Sequence, residues 1–564
     1  MSAKIFSSHI FIFPFTWDYQ SNKKEKSENF MEFIEDKIDK DKWINLKEFN
    51  KKQIEKSNTK EKQEFMDNEY NEKYYFYDNV RNALYDSDEN SKVRTYYFDK
   101  GSGKYKIEII KEIKETFSLD IDKIELKMYE SEIGFLSFYL NNTEKKDLDS
   151  ILNINDYGRR IYPQFKPIEK AKSAFLADSI KLDFGDGLEI KEVFSKEDFA
   201  KEGFRISKTI LGILGDKFTC EKEEIKNSKV IIQPLIDDRM FTLCWYGNDD
   251  FSNSLKREVI RDRRRLVMRD RRIIVSDPER EANYSNSKDW YKYMFIDNGD
   301  ECCKNKGMLK EQIKNNTYAR WSGYGTLYGI TRYSLMVLTS EDSDNESFAD
   351  LIRKHINTQY CRMAQLALMQ RATALKLSNE AAKLAKFDEV NDELDKKVKG
   401  LNEKYIKFKN SLYFTEVTAQ EQGIEMYDIL FKNMKIEREV QAIENKIDLF
   451  QKYVEIEIQN KAEKKQNETN SFLNYLAVFG TVISIPTLIT GFFGMNVFGF
   501  DKWTWYKNFS DLFWIVLFST LTIIISYIIL SLGKDEKIKK IIKKYIKMFI
   551  IVCTVVFLIL LLVA

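Results

Sequence analysis

The chain is poor in histidine, with only His9 and His355 among 564 residues. A zinc enzyme, or a hydrolase that needs histidine as its base, fits so small a supply badly. Six cysteines occur, at 220, 244, 302, 303, 361 and 553, and none forms a C-x-x-C pair. Neither a zinc ribbon nor a disulfide framework is legible there, and the spacing reads as a chain kept in a reducing compartment. The "ECC" at 301–303 has no partner cysteines at metal-ligand spacing. An excess of one charge is missing too: 90 Lys and Arg face 88 Asp and Glu. That balance argues against nucleic acid as a partner and against an acidic solvating tail. A phosphate loop is also absent. "KGSGKYK", 100–106, would need glycine at 98 and Ser or Thr at 105, where Phe98 and Tyr105 stand, so it reads as a turn between strands. No catalytic constellation emerges, and the chain is read as something other than an enzyme. Nor is a cleavable leader expected. "AKIFSSHIFIFPFTWDY" lacks small residues of the cleavage type after its apolar part and alternates as a buried strand does. The long N-terminal region is therefore expected to stay in the cytoplasm.

What the chain does have is a sharp division of charge. Between Glu468 and Asp501 there is no charged residue, and within that gap Phe472–Phe493 reads as one apolar helix of 22 residues. At about 1.5 Å per residue it reaches about 33 Å, enough for a hydrocarbon core of about 30 Å. Phe513–Leu532 is a second uncharged run of spanning length. Met548–Ala564 is a third, slightly short unless Tyr545 and Ile546 join it. Between the second and third, "GKDEKIKKIIKKYIK" carries seven lysines against two acids, which places it on the cytoplasmic side. The alternative is an amphipathic helix lying in the membrane interface. In the loop after the first span, Asp501, Lys502, Lys507 and Asp511 cancel, so that loop is expected outside.

Upstream of the spans, residues 341–470 have helical patterns. "HINTQYCRMAQLALMQRATALKL" reads as an amphipathic helix, and the stretch from Asn391 to Met434 as a second. A third starts at Ile436 and enters the first span without a breaker, with Val440, Ile443, Ile447, Phe450 and Val454 in a 3-4-3-4 rhythm. Residues 459–470 then turn wholly polar, which suits a wet vestibule. Residues 1–340 contain strand-like runs: Ile10–Phe13, "RTYYFD", "KYKIEII", "FLSFYL", "KVIIQPLI", "MFTLCWY" and "YSLMVLT". A Lys/Glu/Asn-rich stretch, 21–65, reads as a solvated helix pair or an insertion. The expected architecture is a cytosolic α+β (or α/β) ligand-sensing domain with a mixed sheet and helices over 1–340. Long helical arms and a stalk follow over 341–470, then a membrane hairpin over 471–532. The basic segment and a further span complete it over 533–564.

Chemistry concentrates on the first span. Asn470, Leu473, Ala477, Gly480, Ser484, Thr487 and Gly491 recur at spacings of 3 and 4, which puts them on one helix face. All but Leu473 are small or polar. A stripe of this kind serves close helix contact in lipid or lines a pore, and a contact stripe has no need of polar Asn470 or of Asn496 beyond its far end. Gly494-Met495-Asn496 closes the apolar run. Mg²⁺ gives up its water reluctantly, so a neutral amide from each of several subunits could hold the hydrated ion without stripping it. Gly494 would allow the tight backbone exit, and a carboxylate ring would release the ion more slowly. The plainer alternative is that Asn496 caps the helix.

"NETNSFLNYLAVFGTVISIPTLITGFFGMN", followed by a short Trp-containing loop and a second span, resembles the membrane hairpin of CorA-type Mg²⁺ transporters, in which the GMN tripeptide is the signature. The likeness is close over 470–532 and looser over the preceding helices, which resemble that family's arms and stalk. It implies a CorA-like funnel: an α-helical, multi-pass protein of the inner (cell) membrane, assembled as a homopentamer that conducts Mg²⁺. Asn496 would form the selectivity ring with Gly494 and Met495. Thr487, Ser484, Gly480, Leu473 and Asn470 would line the path inward, and Leu473 or Leu476 would form a hydrophobic gate. The sequence departs from the family in three places. Val497-Phe498-Gly499-Phe500 stand where acidic residues commonly follow GMN, a third span is unusual, and the cytosolic region is far larger than Mg²⁺ sensing requires. Enlarged forms of this kind resemble the CorA-like membrane effectors of type III CRISPR systems. Such effectors answer a nucleotide second messenger that joins S-adenosylmethionine to AMP. The alternative is a constitutive, Mg²⁺-regulated uptake transporter.

Two stretches offer chemistry for an anionic ligand. "KREVIRDRRRLVMRDRR", 256–272, includes Arg261, Arg264 and Arg265, whose guanidinium forks suit phosphates; interleaved Asp262, Asp270 and Glu258 also make it a salt-bridged surface. "TYARWSGYGTLYGITRYS", 317–334, combines Arg320, Trp321, Tyr324, Tyr328 and Arg332, which could hold an adenine and its phosphate, or simply form a Gly-rich hairpin in the core. His355, among charges on a helix, is expected at the surface.

Overall fold

The computed structural model of the protein describes residues 4–494, except 19–29, 89, 101–102, 112, 163–175, 186, 195–205, 221–229, 237, 257, 262–265, 270–271, 276–278, 300–302, 342–345 and 386–391; beyond these it describes 544, 547 and 551. The chain divides into two compact units, Met1–Gln451 and Lys452–Ala564.

Three long antiparallel strands hold the first unit together: β1 (Ser7–Asp18), β6 (Ile133–Asn142) and β5 (Lys114–Tyr129), in that spatial order. Both outer strands of this trio are long enough to take two neighbours in succession. On β1, β11 (Phe241–Gly247) pairs along Ser7–Ile12 and β10 (Val230–Pro234) along Phe15–Asp18. On β5, β4 (Gly103–Ile110) pairs along Lys114–Ile121 and β3 (Val93–Phe98) along Glu125–Tyr129. Pro14, in the middle of β1, sits where the neighbour changes. The Trp17 amide bonds Glu132 O on the β6 side, so by alternation position 14 faces the other side, between the end of the β11 ladder and the start of the β10 ladder. A residue without an N–H is tolerated there because no ladder bond is lost.

From this centre the sheet extends through β18 (Ser334–Thr339), β17 (Leu327–Ile330) and β16 (Thr317–Tyr318) on one side. On the other it extends through β7 (Ser179–Asp183) and β8 (Glu189–Val193), while β2 (Trp43–Asn45) lies on β3 and β9 (Phe218–Thr219) on β10. Fourteen strands result, and the parallel pairs β11–β18 and β9–β10 make the sheet mixed. Two small antiparallel pairs stand apart: β12 (Glu258–Arg261) with β15 (Glu279–Ala282), and β13 (Leu266–Arg269) with β14 (Arg272–Val275). Each strand-like run read from the sequence has most of its described residues in a strand, with Asp99, Leu235, Ile236, Met240 and Tyr333 falling just outside. β5 was not among them. Its apolar residues Phe117, Leu119 and Ile121 alternate with polar ones, then Ile124, Leu126 and Met128 resume out of phase. A bulge between Ile121 and Lys123 restores them all to one face.

Helices cover both faces of the sheet. One face carries Phe11, Phe13, Phe15 and Trp17 of β1 and packs against α5 (Leu148–Gly158), α6 (Lys208–Leu214), α8 (Lys288–Phe295) and α9 (Lys306–Asn316). Phe15 stands opposite Gly134, whose hydrogen leaves room for the ring; a Cβ there would collide with it. The other face carries Ile10, Ile12, Tyr139 and Trp245. It packs against α4 (Asp78–Leu84), α11 (Gln359–Leu384), α12 (Asp392–Ser411), α13 (Glu421–Asn433) and the start of α14 (Ile436–Gly494). Helices α1 (Phe30–Lys37), α2 (Leu46–Lys56), α3 (Thr59–Tyr74), α7 (Asp249–Lys256) and α10 (Glu346–Asn357) complete the described set. The Lys/Glu/Asn-rich stretch, of which 21–29 lie outside the described residues, is more than a solvated helix pair: it holds α1, β2, α2 and the start of α3, and buries Ile34, Ile38, Trp43 and Ile44, while α3 buries no residue and begins with a capping box between Asn58 and Glu61.

The helical layer corrects three expectations. The run from His355 is not one helix: it breaks at Thr358, between α10 and α11, where φ is −122° and ψ −109°. Nor is α11 amphipathic, since nearly every side chain from Tyr360 to Ala374 is buried. The second expected helix is two, α12 and α13, parted at 412–420. His355 is half-buried rather than exposed. Its ring stands edge-on to Tyr360 at 5.6 Å, and its Nδ1 is shut from water without a hydrogen bond.

A helix buried on all sides must satisfy its polar residues internally. Arg362 of α11 does so against β5. Its Nη1 donates to both carboxylate oxygens of Glu125 at 2.8 Å, and its Nε donates to Glu72 at 2.8 Å. Gln365 Nε2 donates to Glu125 at 2.9 Å, and the Tyr97 hydroxyl donates to Glu125 at 3.1 Å. Burial pushes the Glu125 carboxyl up, but Arg362, Lys127, Lys123 and the Gln365 bond outweigh it and hold it well below the ordinary range. Arg362→Met alone is expected to destabilise the fold by about 3–5 kcal/mol, because Glu125 stays charged and buried; adding Glu125→Leu should recover much of the loss. Urea unfolding of the detergent-solubilised chain, followed by tryptophan fluorescence, measures both.

Candidate functional site: pore helix and basic cluster

Helix α14 runs without a break from Ile436 to Gly494. Its first turns belong to the first unit, where Ile436, Val440, Ile443 and Ile447 are buried. From residue 459 to 470 every side chain is exposed, as the polar composition of that stretch implies. Continuous α-helix makes the spacing of the candidate pore residues real. At about 100° per residue, Asn470, Leu473, Ala477, Gly480, Ser484, Thr487 and Gly491 fall within an arc of about 100°, and Leu476 lies at its margin. All eight are exposed in the single chain. Gly494 is the last residue of the helix, while Met495 and Asn496 lie outside the described residues. Among the described residues no helix is long and apolar enough to cross a membrane. Most of the expected spans, 513–532 entirely and 548–564 except Ile551, lies outside the residues described.

The five ligand candidates at 320–332 fall into different environments. The Arg320 guanidinium is already engaged, by Glu425 at 2.9 Å and Glu421 at 3.1 Å, both in the first turns of α13. Trp321 and exposed Tyr324 group with Phe348 at ring separations of 5.9–6.2 Å. Tyr328 is buried in the sheet–helix core, edge-on to Tyr360 at 6.0 Å. Arg332 sits in the turn between β17 and β18. The hairpin reading of this stretch describes its backbone: β16 and β17 pair antiparallel around a short 3-10 turn. Of the other candidates, Arg261 ends β12, and Arg264 and Arg265 lie outside the described residues.

Arg332 instead has basic neighbours from far along the chain. The ring of Tyr333 lies 5.3 Å from the guanidinium carbons of both Arg239 and Arg371. Behind Arg239, Asp238 takes ion pairs from Arg239 at 3.3 Å and from Arg160 at 2.8 Å, and Asp156 takes Arg159 at 3.4 Å and Arg160 at 3.3 Å. Burial pushes the Arg159 pKa down to about 10. Three guanidinium groups, of Arg159, Arg160 and Arg239, therefore share two aspartates, and Arg371 joins Arg239 at the ring of Tyr333, next to Arg332. Sequence reasoning missed all of them but Arg332, because positions 159, 160, 239, 332 and 371 share no local motif; the one local hint was the pair Arg159-Arg160.

Neither histidine is placed for metal. Among the described residues no group of three or more His, Cys, Asp or Glu side chains is arranged to hold a metal ion. His9 is fully buried, with Nδ1 2.7 Å from Asn155 Oδ1 and Nε2 2.8 Å from Ser7 Oγ.

Residues 376–532 match the family model of the CorA-like Mg²⁺ transporter protein. The match begins within α11, takes in α12, α13, α14 and the Gly494-Met495-Asn496 tripeptide, and ends at Leu532. It leaves out the sheet. Over this segment the chain is similar to ion transporters rather than to enzymes. No curated protein and no solved structure matches the chain.

The buried His9 generates a pH dependence. Desolvation lowers its pKa to about 4, against the opposing hydrogen bond to Asn155. The unfolded chain therefore binds a proton that the folded chain refuses between about pH 6.5 and 4. Its stabilising contribution is whole above pH 6.5 and is lost as pH falls toward 4, by about 3 kcal/mol. Thermal unfolding at pH 7 and pH 5 should show a smaller acid loss for His9→Gln than for the native chain.

Proposed function

We propose that the protein is an oligomeric CorA-like divalent-cation channel, conducting Mg²⁺ above other ions and opened or closed by a ligand bound to its cytosolic sheet-and-helix unit. The observation that carries this reading is the family match over residues 376–532, a segment whose sequence includes Gly494-Met495-Asn496. In the assembly, a homopentamer in the cell membrane, the face from Asn470 to Gly491 lines the path. Leu473 and Leu476 form its narrow apolar gate, and Asn496 of each subunit contributes to a ring of amides that holds Mg²⁺ through its waters.

No hydrolysis is required to drive the ion. A double charge moving inward gains about 4.6 kcal/mol per 100 mV of inside-negative potential. Control of the gate is then the costly part of the design, and the size of the first unit supports a sensing role. Buried residues of α14, from Ile436 to Ile447, and the gate residues belong to one unbroken helix. A ligand that shifts the packing of α11 to α13 would therefore act on the element that carries the gate. On the resemblance to enlarged CorA-like proteins, the ligand is a second messenger joining S-adenosylmethionine to AMP, and the protein acts as a type III CRISPR membrane effector in antiviral defence. The plain-transporter reading, Mg²⁺ uptake regulated by Mg²⁺ itself, draws on the same family match, which covers none of the sheet.

Asn496→Ala is expected to abolish selective Mg²⁺ uptake into proteoliposomes while the oligomer still assembles, as judged by size-exclusion chromatography with light scattering. Selective uptake at the native rate would overturn the ring. Adding the S-adenosylmethionine–AMP conjugate should change the flux at fixed Mg²⁺. If only internal Mg²⁺ changes it, the plain transporter is the better reading.

A further inference from the structure

In the first unit the guanidinium groups of Arg239 and Arg371 meet at the ring of Tyr333, and the Arg332 charge, one residue earlier in the same turn, acts on Arg371. Arg239 stands just ahead of β11, Arg371 is on α11, and Arg332 and Tyr333 form the turn into β18. The Thr242 amide bonds Tyr333 O at 3.1 Å, which ties that turn to β11. The group therefore stands at the N-terminal ends of the parallel pair β11 and β18. Arg371 Nη1 donates to the Arg332 carbonyl at 3.3 Å, so the helix and the turn are joined directly.

Gathering like charges is unfavourable, and burial makes it worse unless negative charge compensates. Only part of this group is compensated. Asp238 serves Arg239 and is shared with Arg160. Arg371 is 3% exposed, and its Nε has no hydrogen-bond partner; the Nε of Arg332 is likewise buried without one. Among the described residues neither arginine has a carboxylate at ion-pair distance. Burial and the nearness of Arg332 lower the Arg371 pKa, against the weaker pull of Tyr333 and Glu439. Arg332 and Tyr333 are partly exposed, so solvent reaches the group.

We infer that Arg239, Arg332 and Arg371, set around Tyr333, form a binding site for a phosphate-class oxyanion. The guanidinium fork matches a phosphate with paired N–H donors, and an anion here supplies the charge that the fold omits. This deepens the ligand-gated reading by giving its ligand a place, and its test reads binding rather than flux, so the two fail separately. The site also explains why a ligand would matter to the helical layer, since Arg371 lies on the same helix as Arg362 and an anion drawing Arg332 toward it would alter the seat of α11.

The test uses the full chain in detergent, without Mg²⁺, titrated with sodium pyrophosphate against sodium chloride at matched ionic strength. Thermal unfolding should show a saturable rise with pyrophosphate alone. Arg332→Gln, at a partly exposed position, should fold normally and raise the half-saturating concentration by about tenfold, the loss of one charge-assisted contact. Arg371→Gln should act in the same direction, and Arg320→Gln, whose guanidinium is held by glutamates elsewhere, should leave the titration unchanged. The absence of a saturable rise, or an equal response in Arg332→Gln and the native chain, overturns the site.

Discussion

Glu125 and Arg362 hold the two layers of the first unit together. The carboxylate projects from β5 and the guanidinium from α11, and removing either leaves the other buried without its main countercharge. Their pairing explains why α11 lies flat against the sheet with polar residues on sides that a surface helix would turn to water. Around the pair, Glu72 and Lys127 bring the local charge to balance, and burial together with Arg362 depresses the Lys127 pKa to about 8. Tyr85, Tyr97 and Tyr139 are pushed far above their ordinary range, first by burial. Such a network contributes less to net stability than to fixing one arrangement of helix on sheet.

Part of the strand content of the first unit was legible, in β1, β3, β4, β6, β10, β11 and β18, because these are apolar runs ended by polar turns; short strands such as β2, β7, β8 and β9 gave no such run. β5 was hidden by its own bulge. Its two halves alternate correctly but out of phase with each other, so no single period describes it. The helical layer misled in the opposite direction. Tyr360, Met363, Leu366 and Ala367 suggest one apolar face, whereas Arg362 and Gln365 on the remaining faces are buried too, as are Gln370 and Arg371 within and beside the apolar face. A sequence marks a buried arginine as polar and therefore as surface; only the carboxylate that meets it, far away in the chain, says otherwise.

Helix α14 shows what local spacing can reveal. Residues 470–491 present their small and polar members on one face because the helix is unbroken, and the tripeptide that ends the run is readable without any fold at all. The ligand side is the reverse. Arg320 and Tyr328 looked convergent in sequence, yet one is paired with α13 and the other is buried in the core. The basic cluster instead assembles from a helix end, a loop, a turn and α11. The proposed pore is read from one segment, whereas the proposed ligand site is distributed over the topology.

Accessibility of the pore face tests the central claim most directly. In the full chain reconstituted into vesicles, cysteine placed singly at 484, 487 and 491 should react with a membrane-impermeant thiol reagent and block Mg²⁺ flux, while cysteine at 485 and 489 should do neither. Reaction at 485 and 489 with none at 484, 487 and 491 would turn the small-residue face away from water. Equal flux before and after labelling at Thr487→Cys would contradict the path itself.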